Sequence, residues 1–152
     1  MYKNRTIGII DLGGITNDCC IVENLKPINE SISTINMGGK IIESIVKTRI
    51  NEKYMLNIQD YEMSNIIKNG IPSILESKSF IDSVVLECFD ILIRELRVKN
   101  WSLETLDIVL VGGGALQYAD ILASKINNIS VIKNPLYANA NGLYNMWVML
   151  YE

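Results

Sequence analysis

The sequence predicts an α/β fold in which helices flank one mixed β-sheet. Three strand patterns come first along the chain, helical patterns follow, and a strand–helix–strand–helix order completes it. Strands joined by short turns are expected to pair antiparallel, and strands joined through helices are expected to pair parallel. Two of the apolar strand patterns run into glycine-rich segments, at 13–14 and at 112–114. The sheet is therefore predicted to carry two glycine-rich turns.

The first three strands are indicated by apolar residues and their alternation. Ile7–Asp11 is an apolar run that ends in an acid, as in a buried strand, and Asp18–Glu23 is predicted to be its hairpin partner. Ser31–Met37 alternates between apolar residues such as Ile32 and polar residues such as Ser31. This alternation predicts a third strand with one face toward the core.

Helical periodicity dominates the middle of the chain. Lys40–Lys53 is predicted to form one helix and Asp60–Asn69 a shorter one, which a glycine and a proline end. Apolar residues at three- and four-residue steps over 80–96 predict the longest helix. Ser79 with Asp82 resembles a capping box at its start, although the box prefers Glu or Gln at the third helical position.

A second strand–helix unit follows. Leu106–Val111 is predicted to be a buried strand that runs into Gly112–Gly114, and Ala115–Ile126 is predicted to be a helix. A short strand at Ser130–Lys133 and a final helix over Tyr137–Leu150 complete the order. Because both glycine-rich turns follow buried strands, both are expected at the same edge of the sheet, where open α/β sheets bind ligands.

Length and composition limit the classes of protein to consider. The 152 residues fit one domain with a core of its own, and 49% of them are hydrophobic. A net charge of −3 argues against direct binding to DNA, and the absence of histidine excludes most hydrolase triads and histidine-based metal sites. The three cysteines are expected to be reduced thiols. No apolar run reaches the roughly 18 residues of a membrane span, so we expect a cytoplasmic protein that does not insert into a membrane.

The turn at Asp11–Thr16 carries the chemistry of a phosphate site. Gly13 and Gly14 have no Cβ, so their N–H groups can approach a large anion closely. Asp11 lies where a carboxylate can hold a hydrated divalent cation beside that anion, and Thr16 adds a hydroxyl. The alternative is an ordinary hairpin turn, in which such glycines are also common. A buried strand rarely ends in an acid that binds nothing, which favours a phosphate–Mg²⁺ half-site.

The second glycine-rich turn is a candidate for contact with a nucleotide. Gly112, Gly113 and Gly114 precede a helix whose free N–H groups and positive dipole suit such contact. Close packing of a strand on a helix explains the same three residues. Their spacing matches neither a Rossmann fingerprint nor a P-loop, so both of those interpretations are excluded.

Four further residues complete the set of candidates. Gly38 and Gly39 stand at the start of the first helix, where capping is the alternative explanation. Glu62 and Lys68 lie on the short helix, from which they can reach a purine or a ribose. A solvated helix face explains these two charges equally well.

Together the motifs resemble those of the actin-like ATPase superfamily, specifically of its C-terminal half. DLGGITND, which begins at Asp11, is similar to the second phosphate loop, and IVLVGGGA, which ends at Ala115, is similar to the adenosine motif. NPLYANANGLY, at Asn134–Tyr144, is similar to the start of the last helix in plasmid-segregation actins of the ParM type. Ile15 stands where chaperone ATPases have a third glycine, which favours the ParM type.

The resemblance implies an actin-like, ribonuclease H-like sheet that binds ATP with Mg²⁺. Asp11 would be the catalytic residue and would position the water shell of the metal. The residues that would contact the β- and γ-phosphates are Gly13, Gly14 and Thr16. Those that would face adenine and ribose are Gly112, Gly113 and Gly114. Those that would pass beneath the nucleotide are Gly38 and Gly39.

The resemblance also implies that residues 1–152 are the single C-terminal domain of a two-domain protein. The first phosphate loop of the superfamily belongs to an N-terminal half, and no second D-x-G turn occurs here. We therefore expect the chain alone to bind nucleotide weakly and not to turn it over. Its expected partners are the missing N-terminal half, further copies in a filament, and an adaptor protein bound to plasmid DNA.

Other functions and one structural question stay open. The chain is also compatible with a non-catalytic module that caps or regulates an actin-like filament, or with half of a chaperone, sugar-kinase or reactivase ATPase. The last helix carries an apolar stripe that would cross onto the missing half: Leu143, Met146, Trp147 and Leu150. We expect this stripe to fold onto its own domain or to pair with a second copy.

Overall fold

The computed structural model describes residues 4–151, which form a five-stranded sheet and five α-helices. The strands are β1 (Thr6–Leu12), β2 (Asn17–Glu23), β3 (Lys26–Ile35), β4 (Asp107–Val111) and β5 (Ile129–Val131). The helices are α1 (Gly39–Tyr54), α2 (Met63–Asn69), α3 (Ser77–Val98), α4 (Ala115–Ala123) and α5 (Ala138–Tyr151). Short 3₁₀ turns at Asp60–Glu62 and Pro135–Tyr137 precede α2 and α5.

The sheet is mixed, as the sequence predicts. Its order is β3-β2-β1-β4-β5, with β1, β2 and β3 antiparallel and with β1, β4 and β5 parallel. Asp11 on β1 lies opposite Asp18 on β2 and opposite Val111 at the end of β4. The parallel pairing of β1 with β4 brings the turns that follow these two strands to one edge of the sheet.

The main core lies between one face of the sheet and helices α1 to α4. Ile10 and Leu110 of the central strands are fully buried there, as are Val46 of α1 and Phe89 of α3. Each such side chain stabilises the fold by about 1.5–3 kcal/mol through the apolar surface it removes from water. The rings of Phe89 and Tyr118 meet edge to face with centroids 5.5 Å apart, which fixes α4 against α3.

The opposite face of the sheet carries a smaller apolar cluster. Its buried members are Ile7, Val109 and Val111, and Ala138 at the start of α5 packs against them. Beyond this contact α5 projects from the domain, because none of its residues is buried and Trp147 is 52% exposed. The expectation that the apolar stripe folds onto its own domain is therefore wrong. Pairing of the stripe with a second copy stays a prediction.

The three cysteines are free thiols. Cys19, Cys20 and Cys88 form no disulfide. Burial, with a smaller contribution from the nearby Asp18 carboxylate, raises the pKa of Cys19 to about 12. Within residues 4–151, no helix is both long enough and apolar enough to cross a membrane.

The third strand begins earlier than the predicted range of Ser31–Met37. β3 starts at Lys26 because Asn24 and Leu25 both adopt the left-handed conformation, with φ of 50° and 64°. Two such residues form the tight turn that joins neighbouring antiparallel strands with the correct twist. The sequence hides this turn because neither residue is a glycine.

The buried face of β3 also differs from the prediction. The register between β2 and β3 shifts between Cys19 and Ile21, which breaks the alternation of the strand. Ser31 is buried because its hydroxyl accepts a hydrogen bond from the Ile21 amide and donates one to the carbonyl of Ile28. Ile32 is correspondingly 49% exposed. The polar residue, and not the isoleucine, faces the interior at this point.

The predicted capping box of the longest helix is wrong. α3 begins at Ser77, two residues before Ser79. The Ser79 hydroxyl donates to the carbonyl of Glu76, and Asp82 forms an ion pair with Lys78. Neither side chain of the expected box therefore caps the helix.

The other predicted elements agree with the structure to within three residues. α4 ends at Ala123 instead of Ile126, and β5 spans Ile129–Val131 instead of Ser130–Lys133. The predicted helix over Asp60–Asn69 consists of a 3₁₀ turn followed by α2.

Candidate functional site

The two glycine-rich turns lie side by side at one edge of the sheet. Gly114 N donates a hydrogen bond of 2.8 Å to Leu12 O at the end of β1. Gly112 N donates a hydrogen bond of 2.9 Å to Pro135 O in the segment before α5. The expectation that both turns share one edge is therefore confirmed, and the second turn links β1 to the start of α5.

The start of α1 closes this edge from a third side. Three successive backbone amides donate hydrogen bonds of 2.8–2.9 Å to carbonyls of the first turn: Gly38 to Ile15, Gly39 to Gly13, and Lys40 to Gly14. A Cβ on Gly38 would lie 2.4 Å from the carbonyl carbon of Ile15. Only glycine allows this approach, so Gly38 both begins the helix and supports the first turn from beneath.

The first turn keeps three backbone amides open. Gly13 N donates to the carbonyls of Asp11 and Thr16, each at 3.1 Å. The amides of Gly14, Ile15 and Thr16, in contrast, donate to no acceptor among residues 4–151. Successive open N–H groups in a turn form a concavity that binds anions. The turn therefore has the donors that an oxyanion such as phosphate requires.

Asp11 is held in a fixed direction beside the second turn. Its Oδ2 accepts a hydrogen bond of 2.8 Å from Asn139 Nδ2, at the start of α5. Gly112 has a φ of +83°, and a Cβ on this residue would lie 2.2 Å from Asp11 Oδ1. Gly112 is thus required for its backbone conformation and for the room that it leaves to the carboxylate.

Two cavities meet at this edge. The first has a volume of about 340 Å³, and its lining includes Lys40 and glycines of both turns. The second has a volume of about 430 Å³ and is lined by residues of α2, α3 and α4, among them Lys68. Gly113 and Gln117 line both cavities, so the two spaces are adjacent along the edge. Volumes of this size are typical of sites for small molecules.

The two charged candidates occupy different positions. Lys68 lines the second cavity together with Gly113. Glu62 lies in the 3₁₀ turn before α2, and its Oε2 accepts a hydrogen bond of 2.8 Å from Gln59 N. Contact of Glu62 with a ligand stays a prediction, since part of its carboxylate already caps this turn.

The lining of the first cavity also includes polar side chains outside the predicted set, namely Lys40, Glu43, Gln117 and Tyr118. Lys40 carries a weak signal, because it directly follows two glycines. Tyr118 is buried, and burial raises the pKa of its phenol. The Tyr118 hydroxyl donates a hydrogen bond of 3.4 Å to Gly39 O, which connects α4 to the start of α1.

The acidic residues at the site can hold a cation only if a bound ligand supplies most of the oxygen atoms that coordinate the cation. In the described part of the chain, no group of three or more Cys, Asp or Glu residues is arranged to hold a metal ion. Asp11 is a single carboxylate whose Oδ1 accepts no hydrogen bond within residues 4–151. Mg²⁺ is commonly held by one or two carboxylates together with phosphate oxygens and water. Asp11 therefore fits a magnesium ion that arrives with a phosphate ligand.

Solved structures match this chain, although no protein-family model and no curated protein does. The Alp12 filament structure matches with 20% identity and a TM-score of 0.76, over 100% of this chain and 50% of that chain. MreB5 of Spiroplasma citri bound to AMPPNP matches with 18% identity and a TM-score of 0.75, over 98% and 54%. The apo psk41 ParM protein matches with 16% identity and a TM-score of 0.74, over 98% and 42%.

The chain spans about half the length of the solved structures that it matches. At these identities the likeness establishes the fold. The mixed sheet flanked by helices is the actin-like fold of these structures, as the sequence resemblance implies.

Proposed function

We propose that this chain is the C-terminal, nucleotide-binding half of a filament-forming actin-like ATPase that segregates plasmids. The observation that carries the proposal is the set of open amides at Gly14, Ile15 and Thr16 in the first turn, of which Gly14 lines the first cavity together with glycines of the second turn. Gly14 and Ile15 are exposed and Thr16 is half-buried, so these donors are accessible to a ligand. The phosphates of a nucleoside triphosphate supply several acceptor oxygens in a row.

The first cavity suits the phosphates. Glycines of both turns line it and leave room for a large anion, and the Glu43 carboxylate also belongs to the lining. Lys40 also lines it and forms no ion pair with any residue of the described chain. The charge of Lys40 is therefore available to a phosphate oxygen, with which it would form a charge-assisted hydrogen bond.

Asp11 is proposed to orient water at the metal. Asn139 holds Oδ2, so Oδ1 keeps its direction beside Gly112 and can accept a hydrogen bond from a water molecule. When bound, Mg²⁺ neutralises charge on the phosphate oxygens. Asp11 would hold one water molecule of the Mg²⁺ hydration shell in place, and it would therefore act by positioning that water.

A single half of the two-domain actin-like fold is not expected to complete phosphoryl transfer. The reaction depends on groups that position the nucleotide and stabilise its charge from both sides, and this sequence contains one D-x-G turn. We propose that the second side comes from an N-terminal half of the same fold. The exposed stripe of Leu143, Met146, Trp147 and Leu150 on α5 supports such a partner, because an uncovered apolar helix commonly marks an interaction surface.

Filament formation and plasmid segregation are proposed because this chain is similar to other proteins. The Alp12 structure is that of a filament, and ParM is a second protein with this fold. Self-association of the parent protein would follow from the same architecture. An adaptor would make the connection to plasmid DNA, since a net charge of −3 does not favour direct contact.

A module that caps or regulates a filament without catalysis is the second candidate. Helix α5 favours it, because its 14 residues include no charged side chain and none of them is buried. A projecting apolar helix of this kind suits a groove on a partner protein. Filament assembly by the parent protein distinguishes the two candidates.

Titration of the purified chain with ATP and Mg²⁺ tests the nucleotide site. We expect weak but saturable binding that Asp11→Ala reduces and that Asp107→Ala leaves unchanged. Asp107 is a matched control, since it lies at the opposite edge of the sheet and its exposed ion pair with Arg5 spans 3.6 Å. Absence of any binding would overturn the site, and rapid ATP turnover by the chain alone would overturn its assignment as one half.

Sedimentation of the full product of the gene tests filament formation. We expect the protein to pellet with ATP and the Asp11→Ala variant to stay in the supernatant. A full product that never pellets with nucleotide would contradict a filament former and would support the regulatory module.

A further inference from the structure

One face of the sheet has no layer of helices over it. Helices α1 to α4 pack on the opposite face, and α5 brings its first two residues, Ala138 and Asn139, to this one. The strand pairing gathers apolar residues here, since Ile9 of β1 lies opposite Cys20 of β2 and opposite Val109 of β4. Parallel strands are normally covered on both faces. This face therefore lacks a second layer.

A groove of about 290 Å³ lies on the antiparallel part of this face, and we call it the sheet groove. Side chains of low polarity form much of its lining: Ile9, Cys20, Pro27, Ile32 and Val111. Ile32 is 49% exposed on the edge strand β3. The two carboxylates of the lining already accept hydrogen bonds, Asp11 from Asn139 and Asp18 from Thr34. The sheet groove therefore offers an apolar surface with room for one large side chain.

Helix α5 is the second uncovered apolar surface. Its 14 residues include no charged side chain, and none of them is buried. The members of its apolar stripe are between 52% and 67% exposed: Leu143, Met146, Trp147 and Leu150. The hydrogen bond from Asn139 to Asp11 holds the start of α5 at the edge of the sheet, and no residue of the stripe lines the sheet groove of its own chain.

We propose that two copies of this chain form a dimer in which each α5 lays its apolar stripe into the sheet groove of the other. Each copy supplies one helix and one groove, so the exchange covers all four surfaces and closes as a twofold dimer. Because α5 carries no charge, its burial adds no unpaired charge to the interface. The dimer needs no nucleotide, so the proposal is independent of the nucleotide site.

The area of the exchange matches what a stable dimer needs. Burial of the four stripe residues removes on the order of 400 Å² of helix surface and a similar area of sheet surface from water. Two reciprocal contacts therefore remove about 1,600 Å², the usual size of a specific interface. One contact alone removes about half of this area, which is less than stable interfaces bury. A second copy is favoured over a partner with only a groove, because it offers both surfaces.

Sedimentation equilibrium of the purified chain at several concentrations measures the dimer. We expect twice the mass of the chain, with a Kd on the order of 10 µM, at the weak end for an interface of this size. Trp147→Ser removes the largest side chain of the stripe, and Ile32→Glu places a charge in the sheet groove. Each change affects both contacts of a symmetric dimer, so each is expected to raise the Kd at least about 30-fold.

Leu75→Ser is the matched control. Leu75 is 96% exposed in the segment between α2 and α3, and it belongs to neither surface. We expect its removal to leave the Kd unchanged. An equal loss of the dimer in this variant would overturn the inference, since it would show unspecific association of exposed apolar residues.

A mixture of the Trp147→Ser and Ile32→Glu variants tests the exchange itself. The Ile32→Glu copy keeps an intact helix and the Trp147→Ser copy keeps an intact groove, so one complete contact forms between them. We expect the mixture to associate more tightly than either variant alone. If the two α5 helices paired with each other instead, Ile32→Glu would associate as the parent chain does, and that result would overturn the inference.

Thermal unfolding, measured well below the Kd of the dimer, checks that the variants fold. We expect midpoints close to that of the parent chain, because Ile32 and Trp147 are 49% and 52% exposed. Ile32→Lys repeats the test of the groove with the opposite charge if Ile32→Glu does not fold. A parent chain that stays monomeric at its highest soluble concentration would overturn the inference and leave both surfaces to an N-terminal half of the same fold.

Discussion

The change Gly112→Ala tests how closely the second turn is fitted to the first. Gly112 has a φ of +83°, and its Cβ would lie 2.2 Å from Asp11 Oδ1 and 2.8 Å from Leu12 O. A left-handed alanine costs about 1–2 kcal/mol, and forcing packed neighbours apart costs about 1–3 kcal/mol. We therefore expect the free energy of unfolding to fall by about 2–5 kcal/mol, the sum of these two costs.

Gly113→Ala is the matched control at the next position. The nearest atom to its Cβ would be Leu136 Cδ1, at 3.4 Å, so the side chain meets only the flexible end of another. We expect its free energy of unfolding to change by less than about 0.5 kcal/mol. Urea titration of both variants gives the two values from the transition midpoint and slope. A Gly112→Ala variant as stable as the parent chain, or equal losses in both variants, would show that the second turn is not closely fitted to the first.

Two further predictions concern α5 and alkaline pH. The double change Leu143→Ser and Trp147→Ser is expected to alter the free energy of unfolding by less than about 0.5 kcal/mol, since the side chains are 64% and 52% exposed. A loss above about 2 kcal/mol, as for a buried side chain, would mean that α5 packs on its own domain. Burial raises the pKa of Cys19 from 9.0 to about 12 and also raises that of Tyr118, so both stay protonated in the folded state while the unfolded chain releases its protons. Stability is therefore unaffected by these groups below about pH 9 and falls above it, by about 1.4 kcal/mol per pH unit for Cys19. Urea titrations across this range measure the slope, which Cys19→Ala should reduce. A flat profile in the parent chain would contradict the raised pKa of both groups in the folded state.

The central strands of the sheet and the long helix can be predicted from the sequence because each of their apolar patterns is compatible with one type of secondary structure. The apolar runs at Ile7–Asp11 and Leu106–Val111 are too short for buried helices and each ends at glycines. The third strand also follows from its alternation, but its start and its buried face near Ser31 do not, because the inward position there is polar. The hydroxyl of Ser31 satisfies backbone groups at the register shift, and no local pattern announces such a bond.

The glycines of the site are predictable because their roles belong to the backbone. Gly38 and Gly112 are where a Cβ would meet main-chain or carboxylate atoms, and both stand in runs of glycine. Gln117 and Asn139 are not predictable in this way. Asn139 bonds to Asp11 across a sequence separation of 128 residues. Gln117 lines the cavity because of the orientation in which α4 packs on the core. Tertiary packing decides both positions.

We propose that a nucleoside triphosphate binds where the two glycine-rich turns meet. Titration of the isotope-labelled chain with ATP and Mg²⁺, followed through its backbone amide resonances in NMR spectra, tests this binding site. We expect the largest shifts at the open amides of Gly14, Ile15 and Thr16 and at Gly113, which lines both cavities. Unchanged resonances at these four residues at saturating ATP would contradict it.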